Sequence, residues 1–243
     1  MLSLSARIVS VILVTLAALP QPGSNFHSKI NPKDDLTYVR IPPGSYVTGC
    51  LPGDTQCIGW ERPKKKINIA KGFWIGRTEV TQAAYQRIMK VNPSYYRGAN
   101  LPVERVGWSD ADKYCRLVGM RLPTESEWEY AAYGGKTQLT QRLLTSIAWY
   151  DTNSNNKTHP VSQKLPNGYG LYDMLGNVWE WVEDQGSGPG RRILKGGSFY
   201  NSARDVRVSD RLEAPANLHH RDIGFRCAAN DWQIARQRVG SYK

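Results

Sequence analysis

Asp173 and Glu180 stand on either side of Gly176-Asn177 in the stretch LYDMLGNVWEWVEDQ. Calcium takes about six to eight oxygens and accepts backbone carbonyls beside carboxylates. A turn at Gly176-Asn177 could bring the Asp173 and Glu180 side chains toward one ion, with the carbonyls of Gly176 and Val178 completing the set. The pattern D-x-x-G-N-x-x-E lacks the carboxylate density of an EF-hand loop. The same residues therefore also describe a buried turn whose Trp179 and Trp181 fill a core.

A second group lies in KGGSFYNSARDVRVSDR, residues 195–211. Its paired glycines before Ser198 permit close approach of another backbone or of a ligand. Arg204, Arg207 and Arg211 recur at intervals of three and four and would share one face of a helix. They read either as an anion-binding wall or as partners of Asp205, Asp210 and Asp222. Hydrolase chemistry has little support: GGSFY is not a G-x-S-x-G elbow, and His219-His220 are adjacent in sequence with no H-E-x-x-H pattern. Glu125, Glu127 and Glu129 crowd one helix start, where they favour the macrodipole.

The elements that must position these residues are partly readable. Thr81 is placed to cap a helix from Gln82 to about Met89. Ser109 is placed to cap a second helix through Ala111, Cys115 and Val118, closed by Gly119. Thr124 and Glu127 form a capping-box pattern opening TESEWEYAAY, and Gly134-Gly135 stops that helix. YVRIPPGSYVTG and KINIAKGFWIGRTEV alternate like strands. Beyond Gly134 there is no long periodic segment, so buried aromatics, disulfides or a bound cation must supply the missing constraint.

Arg7 precedes the apolar run from Ile8 to Leu19, and PQPGS follows it, which makes residues 1–23 a signal peptide. The run is shorter than the roughly 20 residues of a membrane span; the absence of a small-x-small cleavage site leaves an uncleaved anchor as the alternative. Polar residues 24–36 read as a linker and residues 231–243 as a tail. Export favours disulfides over thiolate chemistry. Cys50 and Cys57 bracket the turn LPGDTQ, which leaves Cys115 and Cys227 as a long-range pair or as buried thiols. The formal charge of +11 suits an acidic partner: a protein face, anionic glycans or a phospholipid membrane surface. Export disfavours nucleic acid, and Lys64 to Lys66 read as a solvated face.

IPPGSYVTG, GRTEVTQAAY, RLPTESEWEYAAYGG, NGYGLYDMLGNVWEW, KGGSF and DIGFRC follow one another in the order found in the formylglycine-generating enzyme (sulfatase-modifying factor) family. The chain resembles that family over residues 37–230. The resemblance implies a single α+β domain related to C-type lectins, with little regular secondary structure. It implies a structural calcium held by Asp173, Gly176, Val178 and Glu180, and a Cys115–Cys227 bond. A Cys50–Cys57 bond rests on the local turn alone. Oxidases of the family bind copper(I) through two cysteines, three and eight positions beyond the serine of G-G-S. Those positions hold Asn201 and Val206 here, neither of which is a soft sulfur donor, so copper is not expected and no catalytic residue is assigned.

The resemblance thus points to a branch of exported accessory proteins, periplasmic or secreted, that serve envelope complexes or protein maturation. Activation of type VI secretion is one role of such relatives. A protein or peptide partner would lie in a groove lined by Ser198, Asn201, Arg204 and Arg207, with the arginines selecting acidic groups. The alternative is an oxidoreductase of the formylglycine-generating type, or another maturation enzyme using the same groove.

Overall fold

The computed structural model describes residues 26–49, 64–134 and 144–230. The leader, Cys50 and Cys57, and the tail from residue 231 lie outside the described residues. Helix α1 spans Gln82–Met89, and the Thr81 side chain accepts from the Ala84 amide at its start. Helix α3 spans Glu125–Tyr133; Thr124 and Glu127 cap each other's amides at 3.1 and 2.9 Å, and Gly134 closes it in the left-handed region.

Helix α2 spans Trp108–Leu117 and begins earlier than expected. Its cap is Gly107 rather than Ser109. The Gly107 amide donates to Asp110 Oδ2 at 3.1 Å, which fixes an extended residue ahead of Trp108 and places Ser109 inside the first turn. A short helix α4, Leu144–Ile147, follows.

The strands are β1 (Ser28–Ile30), β2 (Thr37–Ile41), β3 (Gly44–Val47), β4 (Lys66–Ile69), β5 (Phe73–Gly76), β6 (Trp179–Gln185), β7 (Arg191–Lys195), β8 (Arg211–Pro215), β9 (Ile223–Gly224) and β10 (Ala228–Ala229). One antiparallel sheet has the order β1-β2-β5-β10, and a second has the order β8-β7-β6-β9 with β6 and β9 parallel. Strands β3 and β4 form a separate pair. The architecture is α+β. Trp108 Nε1 donates to the Val182 carbonyl and Trp181 Nε1 to the Val106 carbonyl, so β6 and the start of α2 are pinned to each other by one half-buried and one fully buried indole.

Residues 24–36 are corrected from linker to domain from Phe26 onward. Strand β1 pairs with β2, Asn31 Nδ2 donates to the Val118 carbonyl at 3.1 Å, and buried Asp34 accepts from the Tyr38 and Tyr114 hydroxyls. The stretch looks like a linker because its polar side chains satisfy local turns, Asn31 taking the Lys33 amide and Asp34 the Leu36 amide. Burial raises the Asp34 carboxyl above its ordinary range, against the pull of those hydrogen bonds.

Residues 223–229 tie the two larger sheets together. Strand β9 joins β6 and strand β10 joins β5, while the carbonyls of Phe225 and Cys227 accept from the Val80 and Gly76 amides. Two anchors hold this strap. Cys227 is bonded to Cys115 on α2, with Cα atoms 5.6 Å apart, and Arg226 is buried among carboxylates.

Candidate functional site

The two candidate groups meet. Gly176 N donates to the Gly196 carbonyl and Phe199 N to the Asn177 carbonyl, each at 2.9 Å, so the Gly-Asn turn and the Gly-Gly-Ser turn are zipped together. Gly196 and Gly197 both have positive φ. A Cβ on Gly196 would press on the Trp128 ring and one on Gly197 on Val206, so these glycines serve close packing.

Glu180 turns its carboxylate to the guanidinium of Arg226. Oε2 accepts from Arg226 Nε and from Trp128 Nε1, both at 2.7 Å, and Oε1 accepts from Arg226 Nη2 at 2.6 Å. In this arrangement a guanidinium supplies the countercharge of Glu180. Asp173 Oδ2 accepts from the Ser162 amide at 2.8 Å, and Oδ1 is buried without a partner. Gly176 sits so tightly against the Trp149 carbonyl that a Cβ could not fit, and Val178 is buried in front of Gly224. Of the expected set, Asp173 Oδ1 is the side-chain oxygen left without a partner, while both oxygens of Glu180 are engaged. Among the described residues, no group of three histidine, cysteine or acidic side chains is placed to hold a metal ion.

Sequence reasoning missed two members of this buried cluster. Glu79, from the GRTEVT motif, accepts from Asn177 Nδ2 at 3.0 Å, and Arg226, from DIGFRC, faces Glu79, Asp173 and Glu180 together. Burial first, then the neighbouring Asp173, pushes the Glu79 carboxyl well above its usual range. Burial likewise pushes Asp173 up to about 6. The only available signal was the fixed order of the motifs.

Ser198, expected to line the groove, is fully buried; its Oγ lies 2.6 Å from Asn201 Oδ1 and 2.9 Å from Asp222 Oδ2. Asn201 Oδ1 also accepts from the Ser198 amide at 3.0 Å. His220 Nδ1 bonds the other oxygen of Asp222. The order is His220, Asp222, Ser198, with the carboxylate in the middle. A nucleophilic serine needs an imidazole or amine beside its hydroxyl, so this chain of bonds positions Ser198 without activating it.

The arginines part company. Residues 200–210 form turns rather than the helix supposed for them, because short polar side chains bond locally: Ser202 Oγ donates to Asp205 Oδ2 at 3.1 Å. Arg204 is exposed. Arg207 Nε is folded back onto the Arg204 carbonyl, with Asp210 nearby. Arg211 pairs with Glu125 at 3.1 Å and Glu213 at 3.3 Å instead of with Asp205, Asp210 or Asp222. The crowded glutamates of α3 are all paired, Glu127 with Arg121 and Glu129 with fully buried Lys195. Tyr200, unassigned from sequence, is 57% exposed, and the Arg221 guanidinium lies 5.8 Å from its ring centroid.

Val206 is 2% exposed and belongs to the core beside Ala203 and Val208. Asn201 is occupied with Ser198. The two positions where a copper site would need thiolates thus hold a structural amide and a core methyl pair.

The loop whose Tyr96 packs edge-on against Phe199 depends on Glu104. It is fully buried, its Oε1 accepts from the Tyr96 amide at 2.8 Å, and Oε2 has no partner. Burial pushes its carboxyl up to about 7 from an ordinary 4.5. The folded protein therefore holds a proton between about pH 4.5 and 7 that the unfolded chain has released. Stability is lost as pH rises through that window and is lowest above it. Glu104→Gln keeps the acceptor and removes the charge; it is expected to raise stability above pH 7 by on the order of 2 kcal/mol and to flatten the pH dependence of the urea midpoint.

Residues 27–231 match the Sulfatase-modifying factor enzyme 1-like domain, a span that includes most of the stretch first read as a linker. The chain is 35% identical over 299 aligned positions to the formylglycine-generating enzyme of Streptomyces coelicolor, covering 87% of this chain and 94% of that one. It is 35% identical over 159 positions to the mouse protein named inactive C-alpha-formylglycine-generating enzyme 2, covering 54% of this chain and 49% of the mouse one. It thus spans about half the length of the mouse relative. Among solved structures, Treponema denticola variable protein 1 superimposes with a TM-score of 0.74 at 27% identity, over 84% of this chain and 98% of that one. With the same ordered motifs and the same α+β architecture, the chain belongs to the sulfatase-modifying factor family.

Proposed function

We propose that this protein is an exported accessory member of the family, one that binds a protein or peptide at the shelf of exposed residues following the buried Gly-Gly-Ser turn instead of oxidising a cysteine. The observation that carries the reading is the fate of the two copper-ligand positions: Asn201 is hydrogen-bonded to Ser198, and Val206 is packed into the core. Neither offers a thiolate, and copper(I) selects soft sulfur ligands. The shelf keeps features suited to binding. Tyr200 is exposed beside Arg221, and Arg204 is exposed at its edge. Aromatic and arginine side chains at such positions are typical anchors, and the net charge of +11 favours an acidic partner. The buried Cys115–Cys227 bond accords with an oxidising, extracytoplasmic compartment.

A photo-crosslinking residue at position 200, introduced in the native host, would identify the partner. The captured segment is then titrated against the purified domain. Tyr200→Ala with Arg204→Ala is expected to weaken binding by about tenfold while leaving the circular dichroism spectrum unchanged. Unchanged affinity would remove the shelf as the docking site. Stoichiometric oxygen uptake with aldehyde formation, on addition of copper and a cysteine peptide, would favour the oxidase instead.

A further inference from the structure

Beside the shelf, the loops 96–101 and 157–160 border an open cavity of about 280 Å³. Its polar wall is Arg97, Lys157, Thr158 and His159, and its apolar wall is Tyr96, Leu101 and Pro160. No acidic side chain lines it. The loops are fixed before any ligand arrives: Tyr96 OH donates to the Asn156 carbonyl at 2.6 Å, Val161 N to the Asn100 carbonyl at 3.0 Å, and His159 N to Asn177 Oδ1 at 2.9 Å.

Three groups are held ready to donate. Arg97 uses Nη1 on the Asn92 carbonyl, at 2.8 Å, which steadies the guanidinium and leaves its other donors available. Lys157 is exposed and makes no ion pair among the described residues. Thr158 is 3% exposed, yet its Oγ1 has no hydrogen-bond partner. A buried hydroxyl is rarely left unsatisfied, so a missing partner is the simplest reading. His159 is stacked on Trp149 with ring centroids 3.8 Å apart and donates from Nε2 to the Ser154 carbonyl. Burial lowers its basicity, so it serves as a neutral wall. Glu104 lies behind the loop, and its raised carboxyl only partly offsets Arg97 near neutrality.

We infer that this cavity binds the tetrahedral oxyanion of a phosphate or sulfate ester, with Arg97, Lys157 and Thr158 as donors and the organic remainder against Tyr96, Leu101 and Pro160. Two cations from different loops plus a hydroxyl supply more donors than one planar carboxylate uses, and charge-assisted bonds of this kind are the strong ones. The apolar wall suits an ester rather than a free ion. The inference does not rest on peptide binding at the shelf, and small-molecule probes keep the two separable.

Phenyl phosphate, phenyl sulfate, inorganic phosphate and benzoate are titrated by calorimetry and by amide chemical shifts at low ionic strength. Saturable binding of one of the two esters is expected, weaker for inorganic phosphate and absent for benzoate; the preferred ester identifies the source of the ligand. Arg97→Ala and Lys157→Ala are each expected to lower affinity by about fivefold, and both together to abolish measurable binding. Both positions are exposed, so folding is retained, and Thr158→Val is a third readout expected to cost about threefold. The inference is overturned by no saturable binding of any probe in the millimolar range, by benzoate binding as tightly as the esters, or by ester binding that survives the double substitution.

Discussion

Arg226→Met is expected to lower the unfolding free energy by about 3–5 kcal/mol, measured as a shift in the urea midpoint. Arg226 is completely buried. It binds both oxygens of Glu180 and donates to the carbonyls of Gly76, Tyr172 and Asp173 at 3.0 to 3.2 Å. Removing it leaves Glu79, Asp173 and Glu180 buried without their cation, and an uncompensated buried charge is the costly case. Arg226→Lys should recover little, since an ammonium cannot reproduce the two-pronged geometry. Glu180→Gln combined with Arg226→Met should cost less than the two single losses added, because the substitutions act on one bonded pair.

The pH dependence has a definite sign. Burial already holds Asp173 at about 6, and burial together with the neighbouring Asp173 holds Glu79 well above its usual range. Without Arg226 the folded protein would cling to these protons further into the alkaline range than the unfolded chain does. The deficit of the variant should therefore grow as pH rises and shrink toward pH 5. An unchanged midpoint at all pH values would count against Arg226 as the countercharge these carboxylates depend on.

The legible features were those encoded within a few residues. Thr81 and the Thr124–Glu127 pair each satisfy amides three positions away or fewer, so the starts of α1 and α3 could be read directly. The Gly-Gly-Ser bend could be read because only glycine tolerates its backbone. What failed was non-local. The partner of Glu180 lies 46 positions away and that of Lys195 lies 66 away, and no periodicity records such pairings. Composition misled for residues 24–36, where polar side chains are consumed by turns inside the domain, and for Arg204 to Arg211, where regular spacing exists without a helix. Strands β9 and β10 have two residues each, too short to leave a pattern.

The second large effect concerns the other anchor of the same strap. Replacing Cys115 and Cys227 with alanine, or reducing their bond, is expected to cost about 2–5 kcal/mol, toward the upper end because the bond closes a long loop. The cysteines are separated by 112 positions and both are buried. Beyond the loss of chain constraint, Cys227 is the residue whose carbonyl takes the Gly76 amide, so loosening it also weakens the join of β10 to β5. The disulfide and Arg226 hold adjacent residues of one segment. Once either anchor is gone and the strap can peel from the sheets, the second has less to hold, so a combined Arg226→Met and cysteine-to-alanine variant should fall short of the added single losses. Full additivity would show that the strap does not detach as a unit. Urea unfolding followed with and without reductant tests this: the midpoint should drop on reduction by more in the parent protein than in the variant lacking Cys115 and Cys227, which keeps Cys50 and Cys57.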